Sequence, residues 1–372
     1  MKVAYLVHDL NDAAVARRVQ MLKAGGAEVV PIGFWRGAQA PGAVEGVPVV
    51  DLGRTEDAKL LKRMGSVLAQ AIRVGRLQRA MAGADVVVAR NLEMLLLAVR
   101  VAQRRAVIYE SLDIHRSLLG SGRASQALRA VERALMRRCG LLIVSSPAFL
   151  KHYFEARQGW RGRTLLMENK VLRLDGAPEA PELPRPSAPP WRIGWFGMIR
   201  CRKSLALLSK LAADSQGRIE VVIRGRPARH EFADFDAEVA AAPGVTFEGA
   251  YKPSDLPQLY GEVHFAWAID YFEEGLNSSW LLPNRLYEGP LHGAVPIALR
   301  EVETGAWLAA RNAGLLLDQP DRDLAKVFEN LTVADYARLS EAVAAIPRRD
   351  LRAGESDCKD LVAALGSGAD RL

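Results

Sequence analysis

The chain has 372 residues, enough for two or three domains of ordinary size. About half of the residues are apolar (49%) and a quarter are charged (25%), which is typical of a globular protein with a normal core and argues against disorder. The apolar start of the chain ends at His8 and Asp9, too early for a signal peptide or a membrane span. The unpaired spacing of the cysteines argues against a disulfide framework and a zinc site, and favours a reducing cytosol. The three cysteines are Cys139, Cys201 and Cys358.

The net charge of +7 is unevenly distributed along the chain. Residues 1–180 contain 28 Lys and Arg against 16 Asp and Glu, whereas the remaining residues contain 22 against 27. This asymmetry indicates that the first half meets an anionic partner, unless it only forms a solvated, arginine-rich surface. No motif supports nucleic acid. A bilayer surface or an anionic lipid-linked substrate fits better.

In the first 173 residues, apolar β-rich runs alternate with helical patterns, which predicts a parallel, doubly wound sheet. The predicted strands lie at 2–7, 27–32, 48–52, 85–89, 106–110, 141–145 and 164–167. The predicted helices begin at Asn11 or Asp12, either of which can cap the first one, and then cover 56–82, 92–104, 124–139 and 147–153.

Six prolines in residues 174–190 predict a linker, after which the alternation restarts. The later predicted strands lie at 191–196, 219–223, 245–248, 263–269 and 295–298, and the helices at 204–214, 232–241, 253–261 and 284–292. The sequence therefore predicts two Rossmann-like domains, 1–173 and 191–350, that face a cleft. Residues 351–372 are predicted to form a last helix that can cross back to the first domain. Ligands of such sheets bind at the carboxyl ends of the strands.

The segment Trp195–Ser204 is predicted to run from the end of a strand into a helix. Gly197 allows a ligand to approach the backbone, and the free N–H groups of the helix start favour an anion. Arg200, Arg202 and Lys203 place positive charge there. The segment lacks the glycine spacing of dinucleotide and P-loop sites, so a different phosphate ligand is indicated. The alternative is an ordinary turn with a basic rim.

A second segment, Trp280–Ile297, contains a helix that enters through Pro283. Arg285 lies in its first turn, where a cation opposes the helix dipole, and a bound anion would explain that placement. Glu288 follows three residues later on the same face and can accept both hydroxyls of a ribose. The alternative is a plain helix with an internal Arg–Glu pair.

Together the two segments resemble the donor-binding half of GT-B glycosyltransferases, in particular family 4-type and bacterial exopolysaccharide enzymes of the succinoglycan type. The resemblance implies a nucleotide-sugar donor, with Arg202, Lys203 and Arg285 near the diphosphate and Glu288 near the ribose. The other residues assigned to the donor site are Gly197, Arg224, Asn277, Ser278 and Asn284.

The chain departs from this pattern at one position. Many retaining relatives carry two glutamates separated by seven residues; if Glu288 is the second, the first falls at Trp280, which is not acidic. Glu273 or Glu274 can replace it through an insertion. The stereochemical outcome therefore stays open.

Ionisable side chains cluster after the predicted strand at 106–110. An inverting transferase needs a base that takes the proton of the acceptor hydroxyl. Asp113 is the first candidate, Glu110 the second and His115 the third, although Asp113 can also simply cap the next helix. Residues that follow other strands are assigned to the acceptor. They are His8, Asp9, Arg90 and Asn91.

Two basic segments, 56–82 and 123–138, combine arginine or lysine with apolar residues at helical spacing. Such helices can lie on an anionic membrane, or they can merely cover a core. Assembly on a polyprenyl-diphosphate carrier requires the former. We therefore predict a cytoplasmic protein bound peripherally to the inner face of the membrane.

The sequence thus predicts a metal-independent hexosyltransferase without a cofactor other than its UDP-sugar substrate. It would transfer a hexose, glucose or glucuronic acid being favoured, to a polyprenyl-diphosphate-linked saccharide in exopolysaccharide assembly. The alternatives are a GT-B epimerase acting on a UDP-sugar and a non-catalytic partner protein that binds a sugar nucleotide.

Overall fold

The computed structural model describes residues 1–37, 39–55, 74–176 and 186–367. The chain divides into two compact units. The first unit comprises Met1–Glu168, Leu172–Asp175 and Ala353–Leu372, and the second comprises Asn169–Val171 and Gly176–Arg352.

The first unit is built on a seven-stranded sheet with the order β5-β2-β1-β6-β7-β8-β9, in which all neighbours are parallel. Its strands are β1 (Lys2–Val7), β2 (Glu28–Trp35), β5 (Val50–Arg54), β6 (Val86–Arg90), β7 (Ala106–Ser111), β8 (Cys139–Val144) and β9 (Thr164–Leu166), with a small antiparallel pair formed by β3 (Ala43–Val44) and β4 (Val47–Pro48). Every residue of β6 and β7 is buried, as expected for parallel strands covered on both faces.

The helices of the first unit are α1 (Ala13–Ala24), α2 (Val74–Ala80), α3 (Leu92–Val101), α4 (Arg116–Leu119) and α5 (Arg123–Met136), and a π-helix covers Phe149–Glu155. Asp12 caps α1, since its Oδ1 accepts the Ala14 N–H at 2.9 Å. The predicted helix 147–153 is therefore a π-helix shifted by two residues. Of the predicted helix 56–82, residues 56–73 lie outside the described residues.

The second unit contains a six-stranded parallel sheet with the order β13-β12-β11-β14-β15-β16. The strands that follow β9 are β10 (Val171–Leu172), β11 (Trp191–Ile199), β12 (Ile219–Pro227), β13 (Val245–Phe247), β14 (Phe265–Trp267), β15 (Val295–Leu299), β16 (Leu315–Leu317) and β17 (Arg352–Ala353). Strands β10 and β17 form a separate pair. Three tryptophans are fully buried in the core of this unit, and they are Trp191, Trp195 and Trp267.

The helices that follow β11 are α6 (Arg202–Asp214), α7 (Phe235–Ala240), α8 (Leu256–Gly261), α9 (Asn284–Leu291), α10 (Glu303–Ala309), α11 (Pro320–Asn330), α12 (Val333–Ala344), α13 (Arg348–Leu351) and α14 (Glu355–Ser367). The last of them, α14, belongs to the first unit, where Cys358 and Leu361 are buried in one core with Val15 and Val19 of α1. Gly25 permits this approach, because a Cβ there would lie 2.2 Å from the Cys358 carbonyl oxygen.

Strands β11 and β12 are longer than predicted, since they end at Ile199 and Pro227 instead of 196 and 223. The extension runs through two glycines that lie opposite each other, Gly197 with φ of 111° and Gly225 with φ of 135°. These backbone angles favour glycine. A sequence-based strand boundary placed before the first glycine is therefore too early.

Candidate functional site

Helix α6 begins directly after β11 and presents a basic N-terminus. Cys201 caps it, with Sγ accepting the Ser204 N–H at 3.3 Å. Arg202 and Lys203 occupy its first turn, are exposed, and have no acidic neighbour in that turn. Lys203 Nζ lies 2.8 Å from Glu274 Oε1 and 4.1 Å from the centroid of the Tyr271 ring. Helix-start N–H groups and two cations together favour an anionic ligand.

A nearly buried carboxylate, Asp270, joins two predicted arginines at the carboxyl edge of the sheet. Its Oδ2 lies 3.1 Å from Nη2 of Arg200 and 3.9 Å from Nη2 of Arg285. Burial alone would raise the pKa of Asp270, but the guanidiniums of Arg285 and Arg200 outweigh burial and hold this pKa below its usual range. Asp270 is therefore ionised and holds the two arginines beside each other.

Arg285 keeps unused hydrogen-bonding capacity. Its Nε is buried and has no hydrogen-bond partner among residues 1–37, 39–55, 74–176 and 186–367. The side chain lies in the first turn of α9, where the helix dipole disfavours a cation. Both features are compensated when a phosphate oxygen accepts from this guanidinium.

Glu288 lies one turn further along α9 and is oriented by a tyrosine of α8. The hydroxyl of Tyr260 donates to Glu288 Oε2 at 3.1 Å. Tyr260 is fully buried, and burial together with the nearby Glu288 charge raises its pKa well above the usual range. The same causes raise the pKa of Tyr251. Both phenols are therefore protonated, and Tyr260 is a permanent donor to the Glu288 carboxylate.

An aromatic cluster connects α8, the helix of Tyr260, with strand β11, which contains Gly197. The ring centroid of Phe196 lies 4.9 Å from that of Tyr260 and 6.4 Å from that of Tyr251. The Tyr251 hydroxyl lies 4.0 Å from the position that a Cβ of Gly197 would occupy. The structure thus brings the two sequence segments, which are far apart in the chain, to one place within the second unit, through the contacts of Tyr260 with Phe196 and Glu288.

The other predicted donor residues differ in their exposure and in their hydrogen-bond partners. Arg224 Nε lies 3.3 Å from Glu248 Oε2, and within the described residues this buried Nε has no hydrogen-bond partner, as is also the case for Arg285 Nε. Asn277 and Ser278 are buried, and the Ser278 Oγ accepts the Glu273 N–H at 3.0 Å, which stabilises their loop. Asn284 is exposed at the start of α9. Asn284 is thus accessible to a ligand, whereas Ser278 also stabilises its own loop, and the donor roles of all four residues stay predictions.

In the first unit, His8 and Asn91 follow neighbouring parallel strands and contact each other. Asn91 Nδ2 lies 3.2 Å from His8 Nδ1. Asn91 has φ of 71° and ψ of 165°, which is an uncommon backbone conformation for a residue other than glycine. Such strain is concentrated at functional sites. The pair therefore remains a predicted acceptor contact.

Two other candidates lie inside the unit. Glu110 is fully buried; its Oε1 accepts from Arg18 Nε at 2.6 Å and its Oε2 from the Tyr5 hydroxyl at 2.5 Å. Arg90 is buried beside it, donates to the Tyr5 hydroxyl at 3.1 Å, and lies 3.5 Å from Asp12. Burial would raise the pKa of Glu110, but the two arginines lower it. This network favours structural roles for Glu110 and Arg90.

The remaining candidates, Asp113, His115 and Asp9, follow strands β7 and β1 at the carboxyl edge of the first sheet. Asp113 is exposed, two residues after β7. His115 caps α4, its Nδ1 accepting the Ser117 N–H at 3.2 Å. Asp9 is partly exposed and its Oδ1 accepts the Asn11 N–H at 3.0 Å. Of the three base candidates, Asp113 is thus the one most accessible to a substrate hydroxyl.

Sequence reasoning did not identify Asp270, Tyr251 or Tyr260 as site residues. Asp270 had a usable signal, because it follows the predicted strand 263–269 at the edge where ligands bind. Tyr260 had none, since its role depends on contacts with distant segments.

Within the described part of the chain, no three His, Cys, Asp or Glu side chains are grouped as a metal site requires. The expectation of a metal-free reaction stays a prediction. No helix in the described ranges is long and apolar enough to cross a membrane.

One known protein is similar to the chain over nearly its full length. No protein-family model matches the chain. The succinoglycan biosynthesis protein ExoL of Rhizobium meliloti (strain 1021) is 45% identical over 377 residues, covering 99% of this chain and 94% of that protein.

Solved structures share the fold over nearly the full length. Sucrose-phosphate synthase from Thermosynechococcus elongatus superposes with a TM-score of 0.71 at 14% identity, covering 99% of this chain and 96% of that one. Anabaena HepE, in complex with UDP and glucose, gives 0.70 at 15% identity, covering 99% of both chains. The predicted resemblance and fold class are confirmed. The chain belongs to the family of the succinoglycan biosynthesis protein ExoL and has the fold of GT-B glycosyltransferases.

Proposed function

We propose that the chain is a glycosyltransferase that moves a hexose from a UDP-sugar to a polyprenyl-diphosphate-linked saccharide in exopolysaccharide assembly. The observation that carries the proposal is the Glu288 carboxylate, held by Tyr260 on the helix that also presents Arg285. The 45% identity with a succinoglycan biosynthesis protein supports the assembly role. The shared fold of HepE, which was solved with UDP and glucose, supports the donor.

In the proposed donor site, a carboxylate binds the ribose and cations bind the diphosphate. Glu288 accepts hydrogen bonds from the ribose hydroxyls, and the N-terminus of α6 with Arg202 and Lys203 receives the diphosphate. Arg285, held in place by Asp270, adds a fork of donors. When the bond between the sugar carbon and the diphosphate oxygen breaks, these cations stabilise the charge that stays on UDP.

The acceptor chemistry is assigned to the first unit. The acceptor hydroxyl oxygen forms the new bond to the anomeric carbon, and its proton goes to a base. We assign this base to Asp113, which is exposed, rather than to Glu110, which is held in buried ion pairs. His8 and Asn91 are the proposed acceptor contacts. Glucose and glucuronic acid are the favoured sugars.

Peripheral binding to the inner face of the cytoplasmic membrane is the last part of the proposal. Helix α5 and the residues after it expose Arg123, Arg133 and Arg137, together with the apolar Val131, which is 40% exposed. Basic and apolar groups on one helix suit an anionic bilayer, where each cation contributes about 1 kcal/mol.

The donor is tested by thermal unfolding with UDP-glucose, UDP-glucuronate and a GDP-sugar. We expect stabilisation by the UDP compounds alone, because a ligand that binds only the native state raises its stability. Turnover is then measured with Glu288→Gln. Its kcat/KM should fall about 10- to 100-fold, since hydrogen bonds to a charged group are lost.

Glu262→Gln is the matched control, because Glu262 is an exposed carboxylate of the same unit. It should retain wild-type turnover. Full activity of Glu288→Gln would contradict the ribose role. Formation of an epimeric UDP-sugar without acceptor would favour the epimerase alternative, and UDP-sugar binding without any turnover would favour the partner-protein alternative.

A further inference from the structure

A recess outside the donor site opens in the first unit between α5 and the turn that follows the π-helix. Its volume is about 540 Å³. Four arginines and one tryptophan dominate its lining, and they are Arg133, Arg137, Arg157, Arg161 and Trp160. None of them belongs to the donor site, which lies in the second unit.

Three of the four guanidiniums of the recess, all but that of Arg137, donate to backbone oxygens. Arg133 Nη2 donates to the Arg157 carbonyl at 2.8 Å, and Arg161 Nη1 donates to the Trp160 carbonyl at 2.7 Å. Within the described ranges, Arg133, Arg137 and Arg161 have no carboxylate at ion-pair distance. A carbonyl orients a guanidinium without cancelling its charge, so the recess is strongly positive.

The floor of the recess is ordered. Gln158 lines it, is only 4% exposed, and donates through Nε2 to the Tyr153 hydroxyl at 3.0 Å and to the carboxyl group of Glu132. Glu132 also accepts from the Tyr109 hydroxyl at 2.8 Å. Burial raises the pKa of Glu132, which favours its neutral form. The side chains beneath the arginines are thus fixed by hydrogen bonds among buried groups.

We propose that this recess binds a phosphate group. Arginine forks match phosphate oxygens in geometry and charge, and several of them converge here on one concave surface. The indole of Trp160 offers a wall for the organic part of the ligand. A phosphate-bearing lipid headgroup is one source, and in that respect the inference rests on the proposed membrane association. Binding of phosphate as such does not depend on it.

The test compares two double variants that remove the same charge from α5 and the residues that follow it. R133Q/R137Q neutralises the recess, and R123Q/R138Q neutralises two exposed arginines that do not line it. The soluble probe is inorganic pyrophosphate, followed by calorimetry. The lipid probe is a vesicle of phosphatidylglycerol and phosphatidylcholine, followed by co-sedimentation, with phosphatidylcholine alone as the blank.

We expect R133Q/R137Q to weaken binding of pyrophosphate at least about tenfold, the scale of losing hydrogen bonds to a charged group. R123Q/R138Q should change the affinity for pyrophosphate by less than about threefold at physiological salt, since exposed distant charges are screened. Arg137→Gln alone is the second variant. The Arg137 side chain donates no hydrogen bond within the described ranges, so its replacement should leave the fold intact.

If both double variants weakened pyrophosphate binding equally, the surface would be diffusely basic and the inference would be overturned. The inference would also be overturned if the wild type bound neither pyrophosphate nor the anionic vesicles. Binding of pyrophosphate without binding of vesicles would assign the recess to a soluble phosphate and contradict the lipid source. Thermal stabilisation by UDP must be unchanged in R133Q/R137Q. This measurement separates a negative result for the recess from a negative result for the proposed donor site.

Discussion

At the scale of single residues, the first unit contains acids of opposite character a few positions apart. Glu110 is fully buried, and Arg18 lies 2.6 Å from it. Asp113 is exposed in the loop that follows the same strand. A buried ion pair is strongly destabilised when one partner is removed, because the other charge is left without compensation. The two acids are therefore separable by their effects on stability and on turnover.

Glu110→Gln should lower the free energy of unfolding by about 3 kcal/mol at neutral pH, since Arg18 and Arg90 lose their buried carboxylate. Urea denaturation measures this change. The pKa of Glu110 is lowered from its ordinary 4.5, so the stabilisation is fully present above pH 4.5 and is lost as the pH falls through the folded pKa. The wild-type and variant stabilities should converge in acid.

Asp113→Asn is the counterpart. It should retain the stability of the wild type and lose turnover at least about 100-fold, the scale of general base catalysis. The reverse pattern, a stable but inactive Glu110→Gln together with an active Asp113→Asn, would return the base to Glu110.

Tyr260→Phe removes the hydroxyl that donates to Glu288. The KM for the UDP-sugar should rise about fivefold with little change in kcat, because one hydrogen bond that orients the carboxylate is lost. Steady-state kinetics over a donor series measures both constants. In Y260F/E288Q the two effects should not add, since Tyr260 acts through Glu288; full additivity would contradict the positioning role.

At the scale of elements, the glycine pair decides where β11 and β12 end and thus where α6 begins. A Cβ at Gly225 would lie 1.8 Å from the carbonyl oxygen of Gly197, which neither backbone can accommodate without moving. This close approach is what extends both strands beyond the predicted boundary and sets the position of the basic helix start.

Gly225→Ala should therefore destabilise the second unit by more than about 3 kcal/mol, which combines left-handed strain with overpacking. Gly217→Ala is the matched control. Gly217 has φ of 83° but no atom within 4 Å of the added methyl group, so the strain alone should cost about 1–2 kcal/mol. Chemical denaturation compares the two. Equal losses would show that the glycine contact has no structural role.

At the scale of the whole molecule, each unit has a sheet and a core of its own. The core of the second unit contains Trp191 and Trp267, and that of the first contains Tyr5 and Ile108. The residues proposed to bind the donor all lie in the second unit, and the arginine recess lies in the first. A ligand of one unit can therefore be located by the amides that it protects.

UDP should slow hydrogen exchange at the start of α6 and along α9, because it orders the phosphate and ribose contacts there. The core strands β1 and β7 of the first unit should show unchanged exchange. Deuterium exchange followed by mass spectrometry resolves these peptides. Protection confined to the first unit would place the nucleotide elsewhere and contradict the donor assignment.

The sequence by itself determined the alternation of strands and helices up to about residue 298 and the fold class, and it indicated the two segments that are proposed to bind the donor. These are local properties: apolar periodicity, a glycine at a strand end, and a proline before a helix act within a few residues. Because these patterns are local, the segments around Gly197 and Glu288 can be recognised without any knowledge of tertiary contacts.

Only the tertiary structure decided which side chains meet. Asp270 joins Arg200 and Arg285, and Tyr260 reaches Glu288 from another helix. Glu110 is removed from solvent by β1 and α1, while Asp113 near it stays exposed. Burial and ion pairing depend on elements far apart in the chain, and no local pattern encodes that distance.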